Sequence, residues 1–163
     1  MPKLVKGGKH TFGWSRVGDM GRIVIPAEAL VEYCLKESEK LIMVPGSKTS
    51  GGFGLASQNS MIRSPLGAAA EVHPRLGKFQ MPEGEVVEYK GKPYCWVELR
   101  SGGITVPPRT LDKSGIKIGD KLLVIRGSGL AIGFAVRGPI IEEANRHSEL
   151  EIFEPTTQSA VPA

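Results

Sequence analysis

Gly21-Arg22-Ile23-Val24-Ile25-Pro26 and, 81 positions on, Gly102-Gly103-Ile104-Thr105-Val106-Pro107 are two versions of one phrase. Laid on each other without a gap, residues 21–55 and 102–136 share 11 identities in 35 positions, among them Gly21/Gly102, Ile23/Ile104, Pro26/Pro107, Leu30/Leu111, Lys40/Lys121 and Phe53/Phe134. Conservative pairs such as Ile25/Val106, Leu35/Ile116 and Val44/Ile125 fill the gaps, and Trp14 corresponds to Trp96 if one residue is dropped. A repeat of this length organises the chain.

Each copy predicts the same elements. Ile23 and Ile25, like Ile104 and Val106, alternate on one face of a short strand that stops at Pro26 or Pro107, where a ladder donor is lost. A short helix follows over 27–33, with Leu30, Tyr33 and Cys34 on one face, or over 108–114, with Pro108 in its first turn and Gly115 just beyond its end. Lys117-Ile118-Gly119-Asp120 turns the chain, and Lys36-Glu37-Ser38-Glu39 is its partner without the Gly-Asp pair. The runs 41–44 and 122–125 are apolar throughout and are expected to be strands buried on both sides. Gly127-Ser128-Gly129 predicts a hairpin turn into a strand over 130–136. The unit is β-α-β-β, with an extra strand around Trp14 or Trp96 entering it.

These elements divide the chain into a first repeat at 9–57, a connector at 58–84, a hairpin plus second repeat at 85–138, and a C-terminal helix with an acidic tail at 139–163. In the connector a helix is expected over 65–72, capped by Ser64. The hairpin is expected to turn at Gly91-Lys92-Pro93, the last helix to run from Gly138-Pro139 to about His147, and the chain to fray after Phe153.

Composition bounds the function. With 163 residues and a mass of 17.5 kDa the chain fits one domain or two very small ones. Glycine and proline make up 33 residues, 21 plus 12, enough for a turn-rich globular protein and too few for a low-complexity one. No apolar run approaches the ~18 residues that span a bilayer, and residues 1–10 are basic with no apolar stretch behind them, so the expectation is a cytoplasmic protein with no membrane partner. The net charge of +4 is unevenly spread: residues 139–163 hold Arg146 against Glu142, Glu143, Glu149, Glu151 and Glu154, a sum of −4, leaving +8 on the rest. A basic body attracts phosphate backbones through counterion release. Cys34 and Cys95 have no second cysteine or histidine at ligand spacing, so no metal site is expected and both read as small buried residues.

The Gly-Arg-Ile-Val-Ile-Pro string, with Glu28, Leu30 and Lys36 after it, resembles the AbrB-like (SpoVT-AbrB, MazE) swapped-hairpin DNA-binding family, and Gly103 to Pro107 through Gly119-Asp120-Lys121-Leu122 resembles the same motif. The resemblance covers roughly residues 14–57 and 96–136. It implies a mainly β fold with short helices, an AbrB-like swapped-hairpin barrel closed as an intramolecular pseudo-dimer from the two repeats. It implies a prokaryotic DNA-binding transcriptional regulator, with Arg22 at the motif arginine and Arg16 at a basic position of the preceding loop. In copy two Gly103 replaces the motif arginine, and Arg100, Arg109 and Lys113 are the basic residues offered instead. The helix positions where some members carry a basic pair hold Leu30 and Val31, or Leu111 and Asp112.

Two other functions fit the same sequence. MazE-like members cover a toxin with the segment after the barrel, which the acidic residues 142–154 would do here against a basic protein. A barrel that binds a protein or small ligand without DNA is the other, and a homo-oligomer is compatible with all three. Enzyme signals are weak: Gly46-Ser47-Lys48-Thr49 lacks the spacing of a phosphate loop, the glycines from 127 to 133 join strands where a dinucleotide site needs a helix, and His10, His73 and His147 have no triad partners. No enzyme and no cofactor are expected. Trp14 and Trp96 read as core residues at matching places.

Overall fold

The computed structural model describes residues 10–62, 67–126 and 131–155. In chain order the elements are β1 (Thr11–Arg16), a 3-10 turn (Asp19–Gly21), β2 (Arg22–Val24), α1 (Ala27–Glu32), β3 (Lys40–Pro45), β4 (Phe53–Ser57), α2 (Gln58–Ile62), α3 (Gly67–Val72), α4 (Pro74–Gly77), β5 (Val87–Tyr89), β6 (Lys92–Glu98), β7 (Gly103–Thr105), α5 (Pro108–Lys113), β8 (Lys121–Arg126), β9 (Ala131–Ala135), α6 (Pro139–Ala144) and β10 (Ile152–Phe153). The protein is mainly β with short helices. No helix among the described residues is long and apolar enough to cross a membrane.

The two copies exchange strands. β1 pairs with β8 and β6 with β3, so each copy's entering strand lies in the other copy's half, and β4 pairs with β9 between them. The register obeys the repeat: Trp14 faces Leu123 as Trp96 faces Ile42. Phe53 faces Phe134 and Ile23 faces Ile104, each residue meeting its own counterpart, which places both pairs on one pseudo-twofold axis. The phenyl rings of the first pair stack with centroids 4.6 Å apart. The motif glycines serve the same exchange: Ile25 N–H donates to Gly102 O (2.9 Å) and Val106 N–H to Gly21 O (3.0 Å).

The ladders form an open, mixed eight-stranded sheet in the order β10-β1-β8-β9-β4-β3-β6-β5, with β2-β7 a separate two-stranded ribbon. No closed barrel is seen among the described residues, because the ribbon pairs only within itself and the short strands β10 and β5 end the sheet. Short strands at both edges leave little ladder exposed for pairing with another chain.

Alternation along β3 and β8 explains why both read as apolar throughout. Leu41, Met43, Leu122 and Val124 enter a central core with Ile23, Ile104, Phe53, Phe134 and Leu111. Ile42, Val44, Leu123 and Ile125 point the other way, into two outer clusters. Trp14 is buried in the outer cluster under α6 and Trp96 in the one under the connector, so both are core residues, though of these satellite clusters.

Several local expectations change. Cys34 is exposed, not buried: α1 ends at Glu32 and Cys34 takes a left-handed φ of 54° beyond it, carrying its side chain off the inward face of Leu30 and Tyr33. The turn at residues 36–39 is kept without Gly-Asp, since Ser38 adopts φ 69° where Gly119 has 93°, and the Glu39 carboxylate accepts Lys36 N–H (3.0 Å) as Asp120 accepts Lys117 N–H (2.9 Å). The hairpin turns at Lys90-Gly91, and Lys92 and Pro93 already belong to β6. α6 stops at Ala144, short of His147. The connector holds three short helices, of which α2 and α4 had no clear sequence signal. The cap at Ser64 and the turn at Gly127-Ser128-Gly129 lie outside the described residues, as does the tail from 156 onward. Of the end expected to fray after Phe153, Glu154 and Pro155 are instead held against the body: Glu154 pairs with Arg16, and Pro155 packs over Gly18 so closely that a Cβ on Gly18 would lie 2.6 Å from its Cγ, while Ile152 and Phe153 pair in parallel with β1 as β10.

Candidate nucleic-acid interface

The β2-β7 ribbon has two faces. Ile23 and Ile104 are fully buried beneath it, so the alternation of a strand turns Arg22, Val24 and Thr105 outward. Arg22 lies along this outer face. Its guanidinium crosses Gly103, where an added Cβ would sit 3.0 Å from Arg22 Cζ, and Nη2 donates to Arg100 O (2.7 Å) and Ser101 O (3.1 Å). The glycine that replaces the motif arginine in copy two is thus the space in which the arginine of copy one rests. Carbonyls orient Arg22 without cancelling its charge, and no carboxylate pairs with it among the described residues.

Arg16 ends β1 opposite Lys121, and Gly18 N–H donates to Arg22 O (2.8 Å), so Arg16 and Arg22 bracket one loop. Arg16 is not free: Nη1 donates to Gly119 O (3.1 Å) and Nε lies 3.3 Å from the Glu154 carboxylate of the tail. The matching loop of copy two is more heavily neutralised. Arg100 donates to both carboxylate oxygens of Glu83 (3.1 and 2.9 Å) and to Glu98 (3.2 Å), and the Glu83 hydrogen bond holds its pKa above the ordinary arginine value. Glu98 stands at the counterpart of Arg16 under the Trp14-to-Trp96 correspondence, so one point is basic in one half and acidic in the other.

Arg109 is exposed in the first turn of α5, without an ion pair among the described residues. Lys113, at the other end of that helix, shares a groove with Lys48, Lys92 and Arg137 and does not join the ribbon residues. The structure therefore brings Arg22, Arg100 and Arg16 to the ribbon and its flanking loops and sets Lys113 apart. Glu83 and Glu154 were missed as partners, since 17 and 138 positions separate them from Arg100 and Arg16; a basic loop facing acidic segments was the only available signal.

Burial pushes the Cys95 thiol up to about 12, and its S–H points at Met43 Sδ (3.6 Å), the setting of an unreactive cysteine. No group of three or more His, Cys, Asp or Glu able to hold a metal occurs among the described residues. Comparisons of the chain with protein-family models, with curated proteins and with solved structures find no match.

Proposed function

We propose that the protein is a DNA-binding regulator of the AbrB-like type, in which two repeats of one chain make the swapped-hairpin unit that a pair of chains would otherwise make. The strand exchange between copies supports the fold part of this reading, with the ribbon and the outer sheet taken as the two sides of a barrel-like unit. The observation that carries the functional part is Arg22, an uncompensated guanidinium held by backbone carbonyls along the outer face of a two-stranded ribbon. A ribbon of this kind fits the major groove.

Docking would be asymmetric. Copy one presents Arg22 and Arg16, whereas copy two presents Arg100 already paired to Glu83 and Glu98, with Arg109 exposed on α5 and in no ion pair among the described residues. A fused chain with unlike halves is free to read two unlike half-sites, so its operator need not be a palindrome unless the whole chain dimerises. Binding to the DNA upstream of its own coding region, followed by fluorescence anisotropy at low salt, tests this reading. Saturable binding that weakens steeply with salt supports it, and no binding to any duplex at low salt favours a barrel that serves a protein or small ligand.

A further inference from the structure

The pseudo-twofold lets each side chain be compared with its counterpart, and one pair of positions breaks the charge balance. At the end of α1, Glu32 forms a two-pronged ion pair with Arg126 at the end of β8, and that pairing lowers the carboxyl below its ordinary value. The 81-residue shift puts Lys113 at the place of Glu32 and Pro45 at the place of Arg126. The second half thus has a lysine where the first has a neutralised pair. Around it lies a recess of about 340 Å³ whose wall includes Lys48, Lys92, Lys113 and Arg137 and no aspartate or glutamate.

This concentration of charge has a built element. Arg137 Nη2 donates to Lys48 O (3.0 Å), and its guanidinium fills the space a side chain on Gly51 would need, with Nη1 2.5 Å from that Cβ position. The turn below is braced by Ser50 N–H to Ser47 Oγ (3.0 Å) and Gly51 N–H to Ser47 O (2.8 Å). Three segments, the β3-β4 turn, the start of β6 and the end of α5, bring lysines to a rim where the arginine is already fixed. Like charges gathered on a concave wall focus a positive potential that an anion relieves.

We propose that this groove binds a small phosphorylated ligand carrying one or two phosphate groups, a site separate from the proposed DNA face and independent of that reading. The charge selects phosphate over carboxylate: one arginine satisfies a carboxylate, whereas three lysines and an arginine match the several charges and acceptor oxygens of a phosphate or diphosphate. The shape selects a small molecule. An open recess near the lower end of the ~300 to 1,000 Å³ range of small-ligand sites has room for such a group.

The test is calorimetric titration of the full chain with inorganic pyrophosphate, using acetate at matched ionic strength as the reference. Saturable one-site binding is expected, weakened at least tenfold in Lys92→Gln/Lys113→Gln and unchanged in Lys78→Gln. All three positions are exposed, so the melting temperature should stay at the unsubstituted value; Lys48→Gln, on a different segment, gives a second arm that should also weaken binding. Pyrophosphate binding no tighter than acetate, or equal affinity in the double variant, would overturn the proposal. It is equally overturned if Lys113→Gln weakens a random duplex while pyrophosphate binding stays at the acetate level, which makes the groove a contact for the nucleic-acid backbone.

Discussion

At the scale of single residues, the two copies form an internal mutational experiment. α1 and α5 end alike, with Leu35 N–H donating to Leu30 O and Ile116 N–H to Leu111 O, both at 2.9 Å. The residue between, in the left-handed region, is Cys34 in one copy and Gly115 in the other, with φ of 54° and 75°. A side chain there costs roughly 1 to 2 kcal/mol, offset in part by the greater freedom of glycine in the unfolded chain. Cys34→Gly is therefore expected to stabilise the protein by about 0.5 to 1 kcal/mol, and Gly115→Ala, whose added Cβ meets nothing within 4 Å, to destabilise it by about 1 kcal/mol. Urea denaturation of the two variants checks both signs. Gly21 is under a harder constraint, since a Cβ would lie 1.8 Å from Val106 O as well as demanding φ 84°. Patterning of this sort was legible in the sequence: the motif glycines, the paired prolines and the Gly115 stop all fall where the backbone needs them. The outward turn of Cys34 was not, because helical spacing assigned it a face and the helix ends before reaching it.

Among elements, the C-terminal segment lies against β1 and the loop that follows it. Trp14 N–H donates to Glu151 O (2.9 Å), β10 extends the sheet past β1, and Glu154 then meets Arg16. Of the acidic tail residues only Glu154 is paired with a proposed DNA contact, while Glu149 bonds to His147. Glu154→Gln is accordingly expected to tighten duplex binding at low salt by a few-fold, with the gain vanishing as salt screens the pair. Anisotropy titrations at two salt concentrations show it, and unchanged affinity at low salt counts against restraint by the tail.

The start of this segment is tied down by His147, whose ring nitrogens face Glu149 (2.8 Å) and Glu143 (3.1 Å); Glu143 also takes Arg146 (3.1 Å). Hydrogen bonds to Glu149 first and Glu143 second raise the histidine above its ordinary 6.5, and backbone and His147 hydrogen bonds lower Glu149 below its ordinary 4.5. A raised histidine contributes stability that is complete below 6.5 and lost as pH rises through its folded value. A lowered carboxylate contributes stability that is complete above 4.5 and lost as pH falls, so the tie is strongest between those limits. Amide exchange at Trp14, corrected for the intrinsic rate, should therefore lose protection relative to β8 as pH rises above 6.5, and His147→Gln should remove that dependence.

For the whole molecule, the central fact is that neither repeat completes a sheet alone. β1 and β6 are each paired only through the opposite copy, apart from their edge partners β10 and β5. Fragments 1–60 and 85–163, expressed apart, are expected to be poorly folded or to self-associate, and to regain strand signal by circular dichroism on mixing. A monomeric fragment with a sharp melting transition would contradict the shared sheet. The exchange was legible because 81-residue spacing repeats glycines, prolines and apolar runs together, whose local roles are dictated by backbone geometry. The site was only partly legible. Arg22 on the ribbon and Arg16 at the end of β1 are close in the chain, but the neutralisation of Arg100 by Glu83, the cover of Arg16 by Glu154 and the gathering of Lys48, Lys92, Lys113 and Arg137 join segments far apart in it. Pairings of that kind follow from the tertiary fold and leave no periodic trace. Arg22 and Arg16 are the leading proposed DNA contacts, and duplex affinity of Arg16→Ala/Arg22→Ala at low salt, on protein with an unchanged melting temperature, tests that role most directly. A loss of ~1 to 3 kcal/mol in binding, with relaxed preference at one end of the site only, is the expected result; full retention of affinity would contradict it.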